Sequence, residues 1–460
     1  MEEKRTPTEL GTEPVGKLLL RYAIPAIIAQ TAASIYNMVD SIFIGQGVGA
    51  MAISGLGITF PIMNLSAAFG AMVGVGGATM ISVKLGQRDF KTAQNALGNV
   101  FSMNIMLGII LATVCLIFME PILTFFGASE NTMPYAREYM EVIMWGNVIT
   151  HLYFGMNAVL RSAGKPKLAM GATLFTVVLN TIMDPLFIYT FGLGIRGAAL
   201  ATVLAQALAL VFQIKMLSNP EELLHLKRGI FQIKMPLVKG IISIGMSPFL
   251  MNSCACLVTL IINNVLLSYG GDLSIGAYGI ANRVLFIFIM LVIGINQGMQ
   301  PIAGYNFGAQ KYNRVTQVLK YAIFYATICT TMGFIVGVFF PEACTKIFTS
   351  DHDLIVIANH AMPIMVMFFP VIGFQIATTN FFQSIGMAKK SAFLSLTRQL
   401  LFLLPGVIFF PPLLGLDGVW YAMAASDCAA TLTTAWMLFA QMRSFRKMRE
   451  NGVVTLKSDI

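Results

Sequence analysis

The chain has 460 residues, 57% of them hydrophobic and only 11% charged. A soluble domain carries about 25% charged residues, and no soluble core hides this much apolar surface, so a water-soluble fold is excluded. The formal charge of +9 is spread over short loops rather than clustered on a soluble module, which excludes a nucleic-acid-binding face.

Residues 1–17 carry Glu2, Glu3, Glu9 and Glu13 and lack a small-residue cleavage site, so a cytoplasmic tail is expected rather than a cleavable signal peptide. Twelve apolar runs follow, each near the ~20 residues a helix needs to cross a bilayer. In chain order, spans one to twelve are 18–44, 52–83, 93–119, 137–160, 168–191, 197–217, 238–268, 274–304, 316–340, 360–384, 391–412 and 416–441. Spans two and eight are rich in glycine and are expected to bend or tilt. Residues 218–236, with Pro220, Pro236 and a charge cluster, read as a cytoplasmic linker, and 442–460 as a basic cytoplasmic tail. The expected fold class is an all-α membrane protein with two six-helix bundles, 18–217 and 237–441.

Lys and Arg accumulate on cytoplasmic loops. Nearly all of the 30 basic residues fall on one set of alternate loops. Only Arg137, Arg196 and Lys346 fall on the other set, and Arg283 lies within span eight. Both termini are therefore expected in the cytoplasm, with Gly45–Met51, Gly127–Pro134 and Gly270–Leu273 outside.

The two halves align at a nearly constant offset. LGQRDFKTAQ (85–94) matches FGAQKYNRVTQ (307–317), placing Gly86 on Gly308. LRSAGKPK (160–167) matches FQSIGMAKK (382–390), placing Gly164 on Gly386, and GLGIRGAALA (192–201) matches GLDGVWYAMA (415–424). Six spans per half make this a parallel repeat. Transporters built so hold substrate between the halves and alternate access by rocking them.

Two aspartates, Asp40 and Asp184, lie inside spans one and five. A carboxylate at that depth costs several kcal/mol without a partner, proton or ion, so both are expected to be used.

Twelve spans in two halves, YNMVDSIFIG (36–45), Gly86, Gly164 and LNTIMDPLFI (179–188) resemble the multidrug and toxic compound extrusion (MATE) transporters. GINQGMQPIAGYNFGAQKYNRV (294–315) resembles the branch of the staphylococcal multidrug exporter. The resemblance covers about residues 15 to 440. It implies a V-shaped pair of bundles that exports organic cations, such as drugs and toxic compounds, against entry of protons or sodium. It also implies a coupling site at Asp40, Asn180, Asp184 and Thr202, which would ligate metal only if the coupling ion is sodium.

The residues support that carry-over. Asn180 and Asp184 are four apart and share one helix face. Pro185 disturbs the backbone bond to the carbonyl of Thr181. At ~1.5 Å of rise per residue, Asp40 lies about 6 Å, Asp184 roughly 10 Å and Thr202 about 8 Å from the outer end of its span. Oxygen-only ligands suit a proton or a hard cation, and two adjacent carboxyls can share either one. The second half lacks these groups: Asn263, Phe402 and Gly406 stand opposite Asp40, Asn180 and Asp184. Spans seven and ten contain no Asp or Glu, which argues against the acidic site that another branch carries there.

Arg283 and Asp427 are embedded at similar depth and are expected to form a structural ion pair, with a substrate contact the other reading of Asp427. Tyr36 and Asn157 are further candidates for a relay or substrate path, whereas His151 reads as a packed residue. Cys254-Ala-Cys256 is one residue short of a redox motif, and the six cysteines are read as packing residues. The 30 Met and 34 Phe fit an adaptable apolar surface.

No HExxH, GxSxG or GxxxxGK[ST] occurs, so neither an enzyme nor an ATP-driven pump is expected. The reading is a cation-coupled antiporter without cofactors in the bacterial inner membrane. Its expected partners are small organic molecules and membrane lipid, with no nucleic acid, and the expected state is a monomer. The alternative is a lipid-linked precursor flippase of the same superfamily.

Overall fold

The computed structural model describes residues 9–349 and 351–450. Lys4, Arg5, Lys457 and the end of the basic tail lie outside them. Among the described residues the fold is all-helical, with helix over 87% of them. Among the described residues, nine helices are long and apolar enough to cross a membrane. They include span one (Val15–Gly47), span three (Phe90–Ile117), span five (Pro166–Thr190), span six (Gly194–Leu217) and span eleven (Ala388–Leu414). Span ten is a bent pair, His352–Met365 and Phe369–Ser384, which meet at 57°. Span four is also two helices, Met133–Trp145 and Asn147–Ser162, and span twelve opens the helix Asp417–Glu450. Both are helical but more polar than the others. Their polar groups are turned inward: Asn147, His151, Asn157, Asp427 and Thr434 are all buried.

The duplication is written into the backbone. The non-glycine residues with positive φ among those described are Arg88 (60°) and Gln310 (58°). They are 222 residues apart, the repeat offset. At the same offset, Gly49 pairs with Gly271 and Gly164 with Gly386, all with positive φ. A left-handed residue ends one helix sharply and turns the chain into the next. The closing bonds correspond too: Asp89 N–H donates to Lys84 O at 2.9 Å and Lys311 N–H to Asn306 O at 2.8 Å.

Two compact units are present. One comprises Ile28–Phe249 with residues 9–12, and the other comprises Glu13–Ile27 with the described residues from Leu250 onward. Each thus takes the first turns of span one or span seven from the other half of the sequence. In the second unit, Ala23 and Ile27 pack against Gly298 and Gly294, where a Cβ at Gly298 would fall 2.6 Å from the Ala23 nitrogen. Small residues four apart allow such close helix contact inside a bilayer. In the first unit, the linker is bound along span three. Lys234 N–H donates to Asn99 Oδ1 (2.8 Å), Ser102 Oγ donates to Phe231 O (2.9 Å), and Lys165 pairs with Glu222 (2.8 Å). The core of this unit includes Ile44, Tyr139, Met140, Ile188 and Ala198, which surround the polar cluster described next.

Candidate functional site

Spans one, five and six each bring polar side chains to one place in the first unit. Tyr36 and Asp40 are four apart on span one, as are Asn180 and Asp184 on span five, so each pair presents one face. Thr202 lies in the third turn of Gly194–Leu217. Its Oγ1 donates to Ala198 O at 3.1 Å and lies 2.9 Å from the Tyr36 hydroxyl. The Asn180 amide lies 2.7 Å from Asp184 Oδ2, 2.9 Å from the Thr202 backbone nitrogen and 3.2 Å from Thr202 Oγ1. With its oxygen toward Thr202, the amide nitrogen donates to Asp184 and the amide oxygen accepts from the Thr202 backbone N–H, while the hydroxyl proton of Thr202 stays on Ala198 O. The carboxyls of Asp40 and Asp184 are neighbours that interact electrostatically.

Burial makes this arrangement demanding. Asp184 is 0% exposed and Asp40 6%. Two ionised carboxylates 4 Å apart repel by about 4 kcal/mol even at an effective dielectric constant near 20. A shared proton or one cation removes that repulsion. Asp40 Oδ1 is fully buried without a hydrogen-bond partner among the described residues, so an acceptor is left over for either. All donor atoms are oxygens, the set that suits a hard cation. Among the described residues no group of three His, Cys, Asp or Glu is gathered as for a transition metal.

Past Pro185, the chain winds one π-helical turn, Leu186–Thr190, and Phe191 N–H reaches back to Leu186 O at 3.0 Å. This widened turn follows the proline. Such turns occur often at functional sites. It is anchored to span one, because Tyr189 donates its hydroxyl to Phe43 O at 3.1 Å.

The four residues expected at the coupling site, Asp40, Asn180, Asp184 and Thr202, are thus brought together, and the relay candidate Tyr36 joins them at Thr202. Asn157 is not part of this bonding. Its amide donates to Ala169 O (3.0 Å) and Thr173 Oγ1 (3.2 Å) and its oxygen accepts from Arg161, so it ties spans four and five. His151 Nε2 is bonded to Ser66 at 3.1 Å, a buried packing role. Tyr139 is the residue that sequence reasoning missed. It is buried within electrostatic reach of Tyr36, Asp40 and Asp184, but a phenol carries no charge signal in an apolar run. All six cysteines are free.

The expected pair of Arg283 with Asp427 is not formed. Asp427 Oδ1 accepts from Arg398 Nε at 2.7 Å, within the second unit. Arg283 is exposed and makes no ion pair among the described residues. Arg398 lies within Ala388–Leu414, so span eleven as well as span eight carries an arginine. Arg398 reaches Asp427 because it sits on the wide turn Thr397–Leu403, directly across from Asp417–Glu450.

The sequence model of the MatE family matches residues 25–186 and 248–408, two segments that coincide with the repeat. The multidrug export protein MepA of Staphylococcus haemolyticus (strain JCSC1435) is 25% identical over 429 residues, covering 92% of this chain and 93% of its own. The protein of the same name from Staphylococcus aureus (strain MSSA476) is 25% identical over 430 residues, covering 93% and 94%. A multidrug resistance MATE family transporter of the MOP superfamily, solved in an outward-facing conformation, superposes with a TM-score of 0.91 at 24% identity, over 97% of this chain and 100% of that one. A MOP superfamily transporter from Pyrococcus furiosus Vc1 (DSM3638) superposes with a TM-score of 0.89 at 25% identity, over 96% and 98%.

Proposed function

The chain belongs to the MatE family, and from that premise we propose that it is a secondary exporter of small organic molecules, coupled to entry of protons or sodium at the Asp40–Asp184 cluster. The observation that carries this reading is a pair of adjacent buried carboxyls with one orphaned oxygen, Asp40 Oδ1. A purely structural pair would leave neither a buried repulsion nor a spare acceptor.

The cluster joins three helices. Tyr36 and Asp40 of span one meet Thr202 of span six and Asp184 of span five. When the carboxyls share a proton, they attract and hold span one against its neighbours. When both ionise, they repel and release it. Proton occupancy thereby biases the position of span one, where Pro25 lacks a backbone donor and offers a place to bend. Coupling follows if one state of span one holds the proton more tightly than the other. If sodium is the coupling ion, Asp40 Oδ1 and the Asp184 carboxyl hold it and it neutralises both charges, while Asn180 and Thr202 keep Asp184 oriented.

The two staphylococcal relatives are named as multidrug export proteins, and organic cations are the substrate class proposed here. The setting proposed is the bacterial inner membrane, with both termini in the cytoplasm and the protein monomeric. Purified protein in vesicles, with proton and sodium gradients imposed separately, tests the reading, with ethidium as the transported cation. Export driven by one gradient identifies the ion. Export driven by neither overturns the proposal.

A further inference from the structure

We propose that the second unit holds a ligand site of its own, a cavity at Arg398 that takes an aromatic carboxylate. The cavity measures about 220 Å³ and lies wholly within this unit. Its walls include Tyr278, Phe286 and Phe369, and its polar end is Arg398, Gln399 and Asp427.

The polar end is only partly satisfied. Arg398 spends Nε on Asp427 Oδ1 at 2.7 Å. Its other guanidinium N–H groups have no hydrogen-bond partner among the described residues, and the side chain stays 28% exposed at the cavity. Such a fork matches a carboxylate, with two parallel bonds. Aromatic walls favour a flat aromatic body.

Local structure explains why two consecutive residues both serve the cavity. On a regular helix, neighbours point about 100° apart. Here Thr397–Leu403 is a π-helical turn, and Leu404 N–H bonds to Gln399 O. Pro405 follows, and its ring disfavours a regular turn around the carbonyl of Leu401. The widened turn carries Arg398 and Gln399 together into the cavity. Asp427 fixes the guanidinium plane and offsets its charge, so the site is formally neutral and needs no extra counterion when empty of acid.

This site shares no residue with the Asp40–Asp184 cluster. Binding here needs no gradient and does not rest on the coupled export proposed above. An organic-cation preference there and an acid preference here are independent outcomes.

Equilibrium binding of radiolabelled indole-3-acetate to the purified full-length protein tests the proposal, because the probe has a carboxylate and an aromatic body. Saturable binding is expected, with tryptamine, which bears an ammonium group in place of the acid, weaker by about tenfold or more. R398K should retain the pair with Asp427 but lose affinity for the acid, since an ammonium offers no fork. The double variant R398Q/D427N removes both charges together, which keeps the fold testable, and should lose about tenfold or more. Undiminished acid binding by the double variant, tighter binding of tryptamine than of the acid, or no saturable binding by the parent protein overturns the proposal.

Discussion

The Tyr36 hydroxyl lies 2.9 Å from Thr202 Oγ1, a bond between residues 166 apart in sequence that ties span one to span six. Thr202 also faces the Asn180 amide, which donates to Asp184 at 2.7 Å. Any change at the carboxyl pair is therefore felt at span one by two routes, the direct Asp40–Asp184 interaction and this relay of neutral groups.

Tyr36→Phe removes the second route alone. One part-buried hydrogen bond is worth about 0.5–1.5 kcal/mol, so the variant should fold, with a small fall in thermal stability. Export should slow several-fold because span one is held less firmly. Unchanged export by this variant would mean that the relay is only structural.

Asp40→Asn and Asp184→Asn should each abolish gradient-driven export, and the two together should be little worse than either alone. Residues that act as one unit are strongly non-additive. Transport rates of the three variants at equal expression check this. A double variant whose defect is the product of the single defects would show two independent sites.

Asp427→Asn leaves Arg398 without its partner and should cost on the order of 3 kcal/mol, seen as low yield or early thermal unfolding. Asp427→Asn combined with Arg398→Gln should recover most of that loss. If the double variant is as unstable as the single one, the ion pair is not the source of the defect.

How much of this was legible in the sequence depended on contrast. Asp40, Asn180 and Asp184 are polar groups in apolar runs at helical spacing, and they are found where that spacing places them. Gly164 and Gly386 marked the repeat, and both adopt the left-handed turn that only a residue without Cβ takes readily. Arg398 was hidden by its position. It lies about 10 Å into span eleven, close enough to Lys389 and Lys390 to be counted with their loop. The π-helical turn that points it at Asp427 depends on backbone spacing, which hydropathy does not record. Span twelve was found as 416–441, but its inward-facing Thr434 and Asp427 dilute the apolar signal that identifies the others.

Charge bias predicts that Gly45–Met51, Gly127–Pro134 and Gly270–Leu273 face outward. On a background without native cysteines, a cysteine at Ser129 should react with an impermeant reagent in intact cells and one at Lys165 should not. The reverse pattern would invert the topology and place the Asp40–Asp184 cluster in the other half of the membrane.

The central claim is that the Asp40–Asp184 pair couples an ion gradient to export. Ethidium export by Asp184→Asn in vesicles under an imposed gradient tests it most directly, alongside equilibrium ethidium binding by the same purified variant. The predicted result is loss of uphill export with measurable ethidium binding retained, because the fault lies in coupling. Full gradient-driven export by Asp184→Asn would contradict the account and remove the coupling site from these two carboxyls.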